Sequence, residues 1–72
     1  MDLIKVINSV LENNGLSPVN SINESDNLKD DLSFDSFMLA ELTVEIEELT
    51  GIDIFENDIV TTIGEIKKVL NG

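Results

Sequence analysis

Cysteine and histidine are both missing from this chain of 72 residues, so whatever it folds into must be held by apolar packing alone. At this length a core is only just sufficient, and disulfides or a structural metal often help. Disulfides are impossible here, and zinc, iron–sulfur and haem sites lose their usual ligands. The same absence excludes Cys–His and Ser–His–Asp nucleophiles. Hydrophobic residues, rich in Ile, Leu and Val, make up 42% of the sequence, close to the share of a globular domain. Against 4 basic side chains stand 15 acidic ones, a net charge of −11. Such a polyanion is repelled by nucleic acid, and its natural partners carry basic surfaces. Asp2, Lys5, Asn8 and Ser9 interrupt the apolar residues of 1–11, so no targeting segment is read there. No stretch approaches the length of a transmembrane helix. The expectation is one domain over 1–72, cytoplasmic, monomeric and without membrane insertion.

Periodicity predicts helices. Leu3, Ile4, Ile7, Val10 and Leu11 recur at helical spacing over 2–13, with Asp2 in the first turn and Gly15 as a stop. Over 15–35 the period breaks around Pro18 and a run of Asn, Ser and acidic residues. A connection of about 20 residues is long for so small a domain and is usually functional or disordered. Leu16, Val19, Ile22, Leu28 and Leu32 predict that it is pinned across the core, with a short turn of helix over 28–32. A second helix is predicted over Ser36–Thr50, capped by Asp35 and closed by Gly51. At 100° per residue Leu39, Leu42, Ile46 and Leu49 share one arc, the expected core face. Phe37, Ala40 and Val44 form a second arc roughly opposite, edged by Glu41, Glu47 and Glu48. One turn of helix is expected over 55–60. A capping box of Thr62 and Glu65 opens a last helix containing Ile63, Ile66, Val69 and Leu70. The predicted fold is all-α: a small four-helix bundle of three main helices and one short one, with a long loop between the first two.

Ser36 stands at the mouth of the second helix, where free N–H groups and the positive dipole end favour a phosphate. Taken alone it is an ordinary first-turn residue beside a cap. With no histidine to act as base, a functional Ser36 must be activated by another protein, which makes it a modification site and not a catalytic residue. Asp26, Asp30 and Asp31 lack the glycine and terminal glutamate of an EF-hand loop, so no metal site is expected.

The run Asp31-Leu32-Ser33-Phe34-Asp35-Ser36-Phe37, with Glu41-Leu42, Ile46-Glu47-Glu48 and Thr61-Thr62-Ile63, resembles acyl carrier proteins. The resemblance covers the whole chain: length, acidity, helix order, long first loop and the serine opening helix two. In that family the serine of an Asp-Ser-Leu motif bears 4′-phosphopantetheine, whose thiol carries acyl or aminoacyl groups as thioesters. Ser36 matches that serine and Asp35 the aspartate before it. The resemblance implies a phosphopantetheinyl transferase that consumes coenzyme A with magnesium, and further loading and acyl-transfer enzymes as partners. It implies no catalysis by the chain itself. Ser33 replaces the usual glycine, Phe37 the usual leucine, and the segment between Ile54 and Thr61 is shorter than in fatty-acid carriers. Asp-Ser-Phe also looks like the motif of D-alanyl carriers, so fatty acyl, polyketide, peptidyl and D-alanyl cargoes all stay open.

In carrier proteins the second helix is the usual docking surface. Phe37, Ala40 and Val44 would be its apolar centre and Glu41, Glu47 and Glu48 its charged rim. The alternative function is an acidic helical adaptor that is never modified, and the stripe alone fits both. Self-repulsion follows from the charge whichever holds. Added salt should therefore raise the melting temperature, by about 4–8 °C for each ~1 kcal/mol of repulsion screened. A calorimetric Tm that stays constant from low to moderate ionic strength would contradict this.

Overall fold

Leu3, Val6, Ile7, Val10 and Leu11 are the buried face of the first helix, α1 (Leu3–Asn13), in a computed structural model that describes residues 2–56 and 60–71. Asp2 occupies the N-cap position, but its carboxylate makes no capping bond. Its backbone carbonyl instead accepts the Lys5 and Val6 N–H groups at 3.2 and 3.3 Å. At the other end Gly15 turns left-handed, with φ of +77°. Its N–H reaches the Glu12 carbonyl at 3.1 Å, and the Leu16 N–H reaches Leu11 at 2.9 Å. This paired closure satisfies carbonyls that the last turn would otherwise leave open.

The second helix, α2 (Ser36–Thr50), has the predicted bounds and runs antiparallel to α1. Its buried residues are Met38, Leu42 and Ile46, an i, i+4, i+8 row. Two members of the expected core face are displaced from it. Leu39 is only partly buried, and Leu49 is 63% exposed. A helical projection gives direction around the axis but not whether a neighbour covers that level. Where Leu49 emerges, α1 presents Lys5, Val6 and Ser9 and leaves a shallow groove. Met38 fills the place that the projection gave to Leu39.

The third helix, α3 (Ile63–Asn71), buries Ile63 and Ile66, while Leu70 packs partly against the core and Val69 is exposed. Its opening is the predicted capping box. Thr62 Oγ1 accepts the Glu65 N–H at 3.3 Å, and Glu65 Oε1 accepts the Thr62 N–H at 3.1 Å. Of the predicted turn of helix over 55–60, residues 57–59 lie outside the described residues; before them the chain turns at Phe55, with the Glu56 N–H on the Asp53 carbonyl at 3.2 Å. Ile54 and Val60 beside them are buried. Among the described residues there are three helices and no strand; an isolated bridge joins Asn27 and Thr62.

The long connection is tied at three levels. The Asn8 side-chain amide grips Val19 from both sides, accepting its N–H at 2.8 Å and donating to its carbonyl at 2.9 Å. Farther along, Thr61 O accepts from Leu28, Asp26 O from Ile63, and Glu24 O from Gly64, all at 2.9–3.0 Å. A methyl group at Gly64 would meet Glu24 O at 3.0 Å, so glycine permits this approach. Finally a turn over 28–32 inserts Leu28 and Leu32 into the core, with Phe34 behind them. Of the residues expected to pin the connection, Leu28 and Leu32 are buried, Val19 and Ile22 pack partly against the core, and Leu16 is exposed; the turn over 28–32 is not a helix. Each fully buried aliphatic side chain contributes about 1.5–3 kcal/mol, which offsets the lack of cross-links.

The hydroxyl and then the N–H of Thr61, joined by those of Thr62, hold the Glu65 carboxyl below its ordinary value. A depressed folded-state pKa contributes stability above the ordinary value near 4.5 and loses it as pH falls through the folded one. Glu65→Ala should therefore lower Tm at about pH 7, with the gap to wild type closing toward about pH 3. An equal gap at both pH values would contradict the assignment.

Candidate functional site

Three local devices bring Ser36 to the surface. Ser33 adopts a left-handed conformation, with φ of +63°, which is uncommon outside glycine. This reversal lets Leu32 and Phe34 both enter the core from either side of an exposed Ser33, and Phe34 N–H closes onto Leu28 O at 2.9 Å. Asp35 then caps α2, its Oδ1 accepting the Met38 N–H at 2.8 Å while its carbonyl accepts Leu39 at 2.9 Å. Ser36 is the first helical residue and is exposed. Among the described residues, neither its own N–H nor that of Phe37 has an acceptor. These are the donors that helix geometry leaves open at an N-terminus.

The site can present a hydroxyl beside uncommitted N–H donors at a positive helix end. It holds no base, and its one carboxylate, Asp35, is already engaged in the cap. A phosphoryl group on Ser36 therefore fits, whereas self-activation of the hydroxyl does not. A cavity of about 1000 Å³ lies elsewhere. It is lined by Leu3, Ile4, Ile22, Ile52 and Leu70 together with Thr50, about 21 Å from Ser36 along α2.

On the outward side of α2, Phe37 is 71% exposed, Val44 55%, and Ala40, Glu47 and Glu48 are exposed beside them. The stripe is uncovered; the long loop does not pack on it. Glu41 has a different situation. Its carboxylate accepts Asn13 Nδ2 at 3.1 Å and Asn14 Nδ2 at 3.3 Å, tying it to the end of α1. The Asn13-Asn14 pair at the end of the predicted helix supplies both donors of this clasp. The left-handed Ser33 stands where the resembled family has glycine.

Over residues 2–70 the chain matches the family described as phosphopantetheine attachment site. The chain belongs to this family of carrier domains, and its prosthetic group is 4′-phosphopantetheine. No curated protein and no solved structure matches it. Carrier domains of this kind interact with a phosphopantetheinyl transferase and with biosynthetic enzymes. No helix among the described residues is long and apolar enough to cross a membrane, and no acidic group there is arranged to hold a metal.

Proposed function

We propose that Ser36 is the attachment residue and that the chain is an acyl carrier protein, shuttling acyl intermediates between enzymes of fatty-acid, polyketide or related biosynthesis. The observation that carries this is an exposed serine at the first position of α2, beside two uncommitted N–H groups. Ser36 Oγ surrenders its proton to a base on the transferase and attacks the pantetheine-side phosphorus of coenzyme A, breaking the pyrophosphate bond and releasing adenosine 3′,5′-bisphosphate. Asp35 holds the helix end in register for that transfer. When bound, the group supplies the thiol that holds cargo as a thioester, which the cysteine-free chain lacks. The chain itself is no enzyme in this reading and works as a cytoplasmic monomer. One feature favours a second cargo: Phe37 after Ser36 makes the Asp-Ser-Phe sequence that resembles D-alanyl carriers. Aminoacyl or peptidyl loading is therefore the alternative, and an unmodified acidic adaptor is the reading from another class.

Intact-mass spectrometry after incubation with coenzyme A, magnesium and a broad-specificity transferase tests the attachment. Wild type should gain one phosphopantetheinyl group, and Ser36→Ala should gain none. Folded wild type that several transferases leave unmodified would support the adaptor instead.

For docking, the proposed contact is Phe37, Ala40 and Val44 as the apolar centre, with Glu47 and Glu48 as free charges and Glu41 at the edge. Basic patches on partners would be steered there and released quickly. Glu41 is already bound to α1, so its removal would disturb helix pairing as well as docking. The cleaner variant is Glu47→Lys with Glu48→Lys. It should slow modification about tenfold at low salt with unchanged helix content, and the deficit should shrink as salt rises. An unchanged rate at low salt would refute the docking face.

A further inference from the structure

Where α1 ends, Asn14 is followed directly by Gly15, and both are exposed. This pair carries a chemistry that the carrier role does not use. A backbone nitrogen can attack the side-chain amide carbon of the asparagine before it, and glycine, with no side chain, obstructs that attack least. We propose that Asn14 is a guarded deamidation site: the clasp to Glu41 is part of the guard, and conversion irreversibly loosens α1 from α2.

In the reaction the Gly15 nitrogen gives its proton to hydroxide and bonds to Asn14 Cγ. The Cγ–Nδ2 bond breaks, and the nitrogen leaves as ammonia. Water then opens the cyclic imide. Cleavage between Cγ and the ring nitrogen leaves aspartate at position 14. Cleavage between the backbone carbonyl carbon and that nitrogen leaves isoaspartate, with the chain rerouted through the side chain. One water enters and one ammonia leaves, with no oxidant, reductant or cofactor.

The fold holds this back at both reacting groups. Asn14 Nδ2 donates to Val10 O at 2.7 Å and to Glu41 Oε1 at 3.3 Å, so both N–H bonds of the leaving amide are engaged. The attacking nitrogen is engaged as well, its N–H on the Glu12 carbonyl at 3.1 Å. With ψ of 14° at Asn14, the Gly15 nitrogen nearly eclipses the nitrogen of Asn14 itself. Ring closure needs it to eclipse the side chain instead. Reaction therefore waits for the end of α1 to open, which helix ends do at small cost. Val10 and Glu12 belong to α1, whereas Glu41 belongs to α2. Of these ties, the one to Glu41 makes the guard depend on helix pairing.

The product opposes the arrangement that held its precursor. A carboxylate replaces the amide that donated to Glu41, and it stands at the negative end of α1, where the dipole disfavours it. Isoaspartate also lengthens the backbone inside the closure that Gly15 makes. Asn13 keeps its own bond to Glu41 at 3.1 Å, so pairing is weakened and not abolished. Neither Ser36 nor its prosthetic group takes part, so this site stands apart from the attachment reading.

Peptide mapping with isoaspartate detection tests it, on the full chain held in mildly alkaline buffer with and without urea. Conversion at Asn14 should be about tenfold or more slower in the folded chain than in urea. Glu41→Ala, with helix content retained, should speed it about threefold in the folded chain, the loss of one exposed hydrogen bond. If that variant does not fold, Glu41→Asp, whose shorter side chain withdraws the acceptor, should show the same acceleration. Asn14→Asp should lower Tm by about 4–8 °C. Equal rates with and without urea, or no acceleration in the folded Glu41 variant, would overturn the guard. An unchanged Tm in Asn14→Asp would overturn the loosening.

Discussion

The closure of the Asp35 carboxylate onto the Met38 N–H decides where α2 begins, and most of the molecule is arranged around that point. Were α2 to begin one residue later, Ser36 would fall into the loop; one earlier, it would lie deeper in the first turn. The cap is in turn held from behind. Phe34 is buried, its N–H bound to Leu28, and the left-handed Ser33 allows Leu32 and Phe34 to enter the core together. A long connection that carries little regular structure thus has one clear mechanical result. It presents a hydroxyl at a helix N-terminus on a rigid base.

Charge is distributed in keeping with this. All the acidic residues except Asp2, Glu12 and Glu65 lie between Glu24 and Asp58, opposed there only by Lys29. The region of highest self-repulsion therefore contains Ser36 and α2. Its members do not all do the same thing. Asp35 caps α2, Glu41 clasps the asparagines ending α1, and Glu45 accepts the Ser9 hydroxyl of α1. Among the acids of α2, Glu47 and Glu48 are the exposed ones. A solvated acidic face and a set of structural acceptors share one helix.

Much of this was legible in the residues. The bounds of α2 followed from Asp35 and Gly51, and the capping box of α3 followed from Thr62 and Glu65. Both are local devices in which a side chain meets backbone a few residues away. The core face of α2 was less legible, because Leu39 and Leu49 share the angular range of Leu42 and Ile46. Only the level of α1 opposite them determines which are covered. The three strand-like hydrogen bonds between 24–28 and 61–64 were not legible at all, since they join segments far apart in sequence with no alternating pattern in either. At the site, Ser36 and Asp35 were marked by motif.

The claim at the centre is that this particular hydroxyl bears the arm, with another exposed serine, Ser33, only three residues before it. Fragmentation of the proteolytic peptide spanning 30–40 from the modified protein separates the two most directly. The account predicts that every fragment containing Ser36 carries the phosphopantetheinyl mass and that fragments ending before it carry none. Modification on Ser33, or divided between the two serines, would contradict it.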